Sequence, residues 1–243
     1  MNYFEVINEV ERTLGRPVTS TFAGLTNQFQ LNIKDLVNKV NKDVLTSFTY
    51  PCRERTTTIT ISAETTEEYS TVTNTIDGEI AKDSNGRSLI YDTSDKAYYS
   101  YNPNKVEFIL GEANPREYGF RNNLILFDAY GEDRTLTVEY YTNKLALDNT
   151  AYEDFIEGTT TEKTNMTSET DYSIIPTFLH ESILVQGTCY YFEVQKNESL
   201  KVAAFKKQFE EGVKMLNAHN LAEEQESQIK IGNLDRDLRR SAV

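Results

Sequence analysis

Cysteine, histidine, proline and tryptophan are all scarce in this chain of 243 residues. The two cysteines, Cys52 and Cys189, lie far apart and match no metal-ligand spacing, which excludes a disulfide framework and fits buried thiols in a reducing compartment. His180 and His219 are the only histidines. His180 precedes Glu181, but adjacent helix positions do not face each other, so no acid–base dyad follows and both histidines read as structural. No phosphate-cradling glycine loop, serine elbow or zinc spacing occurs, and no cofactor motif is present. Carboxylate pairs such as Glu67-Glu68 and Glu210-Glu211 arise readily by chance among 38 acids, and their spacing nominates no catalytic couple.

Basic runs are also missing apart from Lys206-Lys207 and Arg239-Arg240, and the net charge is −13. Chains that grip DNA or anionic membranes need basic patches, so both roles are disfavoured. The start, MNYFEVINEVERTLG, has no basic region followed by an apolar one. No apolar run approaches the roughly 20 residues of a membrane span. These features predict a soluble protein made in a cytoplasm.

What is present is periodicity. Phe4, Ile7, Val10 and Leu14 fall on one helical face, and Gly15 with Pro17 ends that helix. Phe29, Ile33, Leu36, Val40, Val44 and Phe48 repeat the pattern over 27–48, with Thr26 as the expected N-cap and Tyr50-Pro51 as the stop. The period then becomes two. TTTITIS (56–62), KVEFIL (105–110), NLILFDAY (123–130) and RTLTVEYYT (134–142) read as strands. Asn85-Gly86 is expected to turn one hairpin, and Gly131-Glu132-Asp133 to turn another between the last two strands. Within 148–173 seven acids face the single Lys163. Such a stretch is expected to bury little and to form a long loop or arm.

A second helical pair follows. Pro176 suits a first turn, and Ile175, Leu179, Ile183, Tyr190 and Val194 form a stripe with Gly187 as its small member. QKNES (195–199) is the expected turn. Val202, Phe205, Phe209, Val213 and Leu216 make the facing stripe. The predicted fold class is α+β. Residues 1–50 and 174–222 form a helical bundle, 51–147 an inserted antiparallel β barrel or sandwich, 148–173 the acidic arm and 223–243 a charged tail.

The segment IIPTFLHESILVQGTCYYFEVQKNESLKVAAFKKQFEEGVKML resembles the C-terminal helical hairpin of the head-to-tail adaptor (connector) proteins of tailed bacteriophages. A proline opens a helix with a small residue midway. A polar turn leads to an aromatic-rich helix ending in Phe209-x-x-Gly212-Val213. The long helix containing IKDLVNKVNKDVL and the segment NLILFDAYGEDRTLTVEYY, similar to the family's β hairpin, extend the likeness, while 56–120 departs from it.

The resemblance implies a non-enzymatic virion protein without cofactor or metal, made in the bacterial cytoplasm. Its partners would be itself in a closed ring (a dodecamer in that family), the portal protein, and other connector or tail proteins. Genomic DNA would pass through without specific binding, and no membrane would be involved. Candidate interface residues are Tyr98, Tyr99 and Tyr101 in the tyrosine cluster 96–103, and Arg236, Arg239 and Arg240 in the tail. The competing readings are a carbohydrate- or surface-binding module using the tyrosine-rich β region, and a two-carboxylate hydrolase.

Overall fold

The computed structural model of the chain describes residues 1–61, 68–70, 76–83, 86–93, 96–102, 117–121, 124–127, 133–157, 159–196 and 201–219. The fold mixes helix and sheet and divides into two compact units. One joins Met1–Cys52 to Leu145–Val243, and the other is the continuous stretch Arg53–Lys144.

In the first unit, α1 (Tyr3–Thr13) and α2 (Gln28–Ser47) form where the apolar spacing predicts helix. Each opens on a capping box. Asn2 with Glu5, and Asn27 with Gln30, exchange side-chain and backbone hydrogen bonds that satisfy otherwise orphaned N–H groups. The cap of α2 is therefore Asn27 rather than Thr26, whose own N–H donates to Gln30 Oε1 at 3.1 Å. Phe48 takes an extended backbone at the helix end and is 57% exposed, so it leaves the buried stripe.

The C-terminal pair begins with a 3-10 turn over Thr177–Leu179 and a π-helical turn over Glu181–Val185, and then α3 (Gln186–Lys196). A π turn holds an extra residue, which rotates everything after it around the axis. The buried face of α3 is consequently Thr188, Cys189, Phe192 and Glu193, while Val194, expected in the stripe, is 45% exposed. The turn expected at 195–199 lies largely outside the described residues. A last helix, α4, covers 201–219. Two close approaches seat it. A Cβ on Gly187 would fall 2.8 Å from Phe209 and Val40 side-chain carbons, and one on Gly212 would fall 2.7 Å from Ser182 Oγ. Glycine is what lets these surfaces meet. Helices from both ends of the chain share one core: Ile7, Val10, Val37, Val40, Ile183 and Leu216 are all buried in it.

Residues 148–173 are largely irregular and mostly exposed or half-buried, as expected of a long acidic loop, but the segment is tied to this core rather than free of it. β10 (Ala146–Leu147) pairs with both β11 (Glu162–Lys163) and β12 (Tyr172–Ser173) as a small sheet. Within the segment Met166 is buried, as are Ile174 and Ile175 just after it. The charge is absorbed locally. Lys163 Nζ donates to Asp171 Oδ1 at 2.7 Å and to Asp148 Oδ1 at 3.0 Å, while Asp171 Oδ2 accepts the N–H groups of Thr167 and Ser168. Helices hold the segment from outside. The Tyr3 N–H donates to the Asp171 carbonyl, and Asn38 Nδ2 donates to the Met166 carbonyl. Asn41 donates to the Leu145 carbonyl and accepts from Ser173 Oγ. A stretch with few apolar residues still packs when each buried polar group finds a partner.

The second unit is two open sheets over one core. The first contains β1 (Glu54–Ile61), β3 (Gly78–Ile80), β4 (Ile90–Asp92), β5 (Ala97–Tyr98) and β9 (Arg134–Thr142). In it β9 pairs along its length with β1, and its other edge takes β3 and β4 in succession. Ile59 lies opposite Leu136, and Ile90 opposite Val138, so the apolar members of the alternation meet on one face.

The second sheet has β2 (Glu68–Ser70), β6 (Ser100–Tyr101), β7 (Glu117–Arg121) and β8 (Leu124–Phe127), with β6 parallel to β7. Ile125 and Phe127 join Ile59, Ile90, Leu136 and Val138 in the shared core. Among the described residues neither sheet closes into a barrel. Strands β8 and β9, expected to pair as a hairpin, belong to different sheets and pack face to face instead. The turn expected at 131–133 and the strand expected at 105–110 fall wholly or mainly outside the described residues. The turn at Gly86 is closed by the Asp83 N–H donating to the Arg87 carbonyl at 2.8 Å.

Candidate interaction surfaces

The tyrosine cluster does not form one patch. Alternation along the strand sends Tyr98 outward and Tyr99 inward. Tyr99 is 0% exposed, its ring edge-on to Phe127 at 5.7 Å, so it is a core residue and leaves the set of candidate contacts. Tyr98 and Tyr101 remain exposed, at 37% and 49%. Tyr98 already has neighbours on its ring. Tyr91 lies against it at 5.0 Å, and the Arg87 guanidinium stands 4.1 Å over it. Asp83 fixes that guanidinium through the Arg87 Nε–H at 3.0 Å. Tyr101 leans on Tyr118 at 5.5 Å. Arg236, Arg239 and Arg240 lie outside the described residues.

The titratable residues of the helical unit are knitted into the structure. His180 is fully buried, with Nδ1 2.8 Å from the Met1 carbonyl and Nε2 2.8 Å from that of Ile175. Two carbonyl acceptors favour the cation, but burial outweighs them and pushes the imidazole pKa down to about 4. Glu153 caps the turn at Thr177, accepting from its N–H at 2.7 Å and its hydroxyl at 2.8 Å. Burial pushes the Cys189 thiol up to about 12, where it is inert at neutral pH. Among the described residues no three His, Cys, Asp or Glu side chains gather as a metal site.

The outward-facing features of this unit flank α4. On one side Phe178 and Met215, 58% and 54% exposed, line a cleft of about 340 Å³ together with Glu181 and Glu211, and the Phe178 ring lies 5.4 Å from that of His219. On the other side Val44, Phe48, Tyr191, Phe209 and Val213 line an apolar cleft of about 410 Å³ between α2, α3 and α4. Tyr191 donates to Asp43 Oδ2 at 3.1 Å across its rim. Sequence reasoning missed Phe178 and Met215, because both fall off the apolar stripes. Their being off the stripe was itself the available signal, since large apolar side chains there have no partner in the unit's own core.

The chain matches no family model and no curated protein. Among the described residues no helix is long and apolar enough to cross a membrane.

Proposed function

We propose that the chain is a structural virion protein, one subunit of a ring in the head-to-tail connector of a tailed bacteriophage. It would dock on the portal and line part of the DNA channel. The observation that carries this reading is where the connector-like features sit. The small residue midway along the first C-terminal helix is Gly187, and the ending of the second is Phe209-x-x-Gly212-Val213. Gly187 meets Phe209, and Gly212 meets Ser182, at the points where α4 crosses its neighbours. The features behind the resemblance are thus the ones that shape the helical hairpin. The net charge of −13 suits a channel wall that repels the phosphate backbone and does not trap passing DNA.

The carbohydrate-binding alternative needs open aromatic faces on which a sugar can stack. On Tyr98 the face that would serve is taken by Arg87 at 4.1 Å. Co-sedimentation with the portal protein encoded in the same genome tests the connector reading. The protein is expected to pellet with the portal and to show no salt-sensitive affinity for duplex DNA. Tight DNA binding lost on adding salt, without portal binding, would overturn it.

A further inference from the structure

The cleft beside Phe178 lies where α4 closes on the π turn. Glu181 and Ser182 begin that turn, and Glu211 and Gly212 are neighbours on α4. Gly212 permits the approach, since a Cβ there would fall 2.7 Å from Ser182 Oγ. The two glutamates therefore share one lining with Phe178, Gln186 and Met215, around about 340 Å³. π turns recur at functional sites.

The lining is rich in acceptors and lacks cations. Two carboxylates brought together repel each other unless a cation sits between them. Among the described residues neither Glu181 nor Glu211 makes an ion pair, and no Lys or Arg lines the cleft. Ser182 commits its hydroxyl proton to the Leu179 carbonyl at 3.2 Å, which leaves only lone pairs.

A separate observation points the same way. Gln186 Oε1 is closed off from solvent and has no hydrogen-bond partner among the described residues. Buried acceptors are nearly always paired in folded proteins, so this one marks a place where a donor is missing.

We infer that the cleft is a binding site for an arginine side chain presented by a partner protein. A guanidinium carries five donors and no acceptor, in a planar fork that serves two carboxylates and an amide oxygen together. The compact ammonium of lysine lacks that reach. The Phe178 ring, braced by His219 at 5.4 Å, offers a flat face for the guanidinium, and Met215 offers apolar surface for the methylene stem. Phe178 and Met215 are 58% and 54% exposed, more apolar surface than one side chain covers, so the arginine arrives with its neighbours on a protein surface. The inference stands on the cleft alone and does not depend on the connector reading.

The test is methyl NMR on the full chain labelled at its three methionines. Met215 lines the cleft, while Met166, 2% exposed in the core, reports the fold in the same spectrum. The probes are capped tripeptides, Gly-X-Gly, in which X is arginine, lysine or citrulline. Citrulline keeps the shape of arginine and loses the charge. The arginine probe is expected to shift the Met215 methyl and leave Met166 in place, saturating at about millimolar concentration. The lysine and citrulline probes are expected to bind at least about tenfold more weakly.

Glu181→Gln and Glu211→Gln each weaken the arginine probe about tenfold. Both positions are exposed, so the Met166 signal stays where it is in the wild type. An unmoved Met215, equal binding of lysine and arginine, or full binding by both variants would overturn the inference, because each marks no more than a solvated acidic surface. Free arginine binding more tightly than the capped probe would overturn it too, since the site would then be made for a small molecule. In each case the connector reading would stand untouched.

Discussion

In the helical unit the polar ties join the two ends of the chain; in the β unit they stay within one continuous stretch. Asn38 reaches Met166, Asn41 reaches Leu145 and Ser173, and the Tyr3 N–H reaches Asp171. None of these bonds exists until both ends of the chain are present. The β unit is continuous, and β1 and β9, its first and last strands, pair from Glu54↔Tyr141 to Ile61↔Arg134. Its insertion point is therefore closed by its own ladder. The contrast teaches that a helical body can accept a whole folding unit in mid-chain when the bonds that define it do not pass through the insert.

Three measurements break or sharpen that comparison. The largest effect is expected from Leu136→Ala, which empties the centre of the β core opposite Ile59. It should cost about 4 kcal/mol and lower the melting of the β unit alone. Calorimetry showing both units shifting together would break the distinction. Asp171→Ala removes one of the two acceptors of Lys163 and the acceptor of two backbone N–H groups in a fully buried position. It should cost about 3 kcal/mol and fall on the helical unit.

The third effect is pH-dependent. His180 in the fold holds its proton only near pH 4, while the unfolded imidazole binds one near its ordinary 6.5. Between those values the unfolded state carries the extra proton, so stability falls as pH falls. The loss should be about 2 kcal/mol between about pH 7 and 5. His180→Gln, which keeps one donor, should flatten that slope. At lower pH a further loss follows, because the Lys163 ammonium and two backbone N–H groups hold the Asp171 carboxyl below its usual range. The β unit should not share the His180 slope.

The parts legible in the sequence were those where one period governs. The stripe from Ile33 to Val44 marks α2 because burial on one face needs nothing beyond the 3.6-residue repeat. The strands at 54–61 and 134–142 follow from alternation. Pairing was not legible in the same way. Nearness in sequence suggests that 124–127 and 134–142 form a hairpin, yet burial is served better when they face each other from two sheets.

The π turn at Glu181–Val185 was hidden because its composition is that of an α-helix, and its extra residue moved Val194 outward and Phe192 and Glu193 inward. The acidic segment misleads for an electrostatic reason. A count of charges does not show that Lys163 sits between Asp148 and Asp171, or that α2 supplies asparagines to the neighbouring backbone. In the tyrosine cluster the residue types were visible but the phase was not. One position separates an exposed Tyr98 from a buried Tyr99.

The most direct measurement is electron microscopy of the chain incubated with the portal protein from the same genome. The connector reading predicts closed rings seated coaxially on the portal. Portals left bare beside a monomeric, folded protein would contradict it.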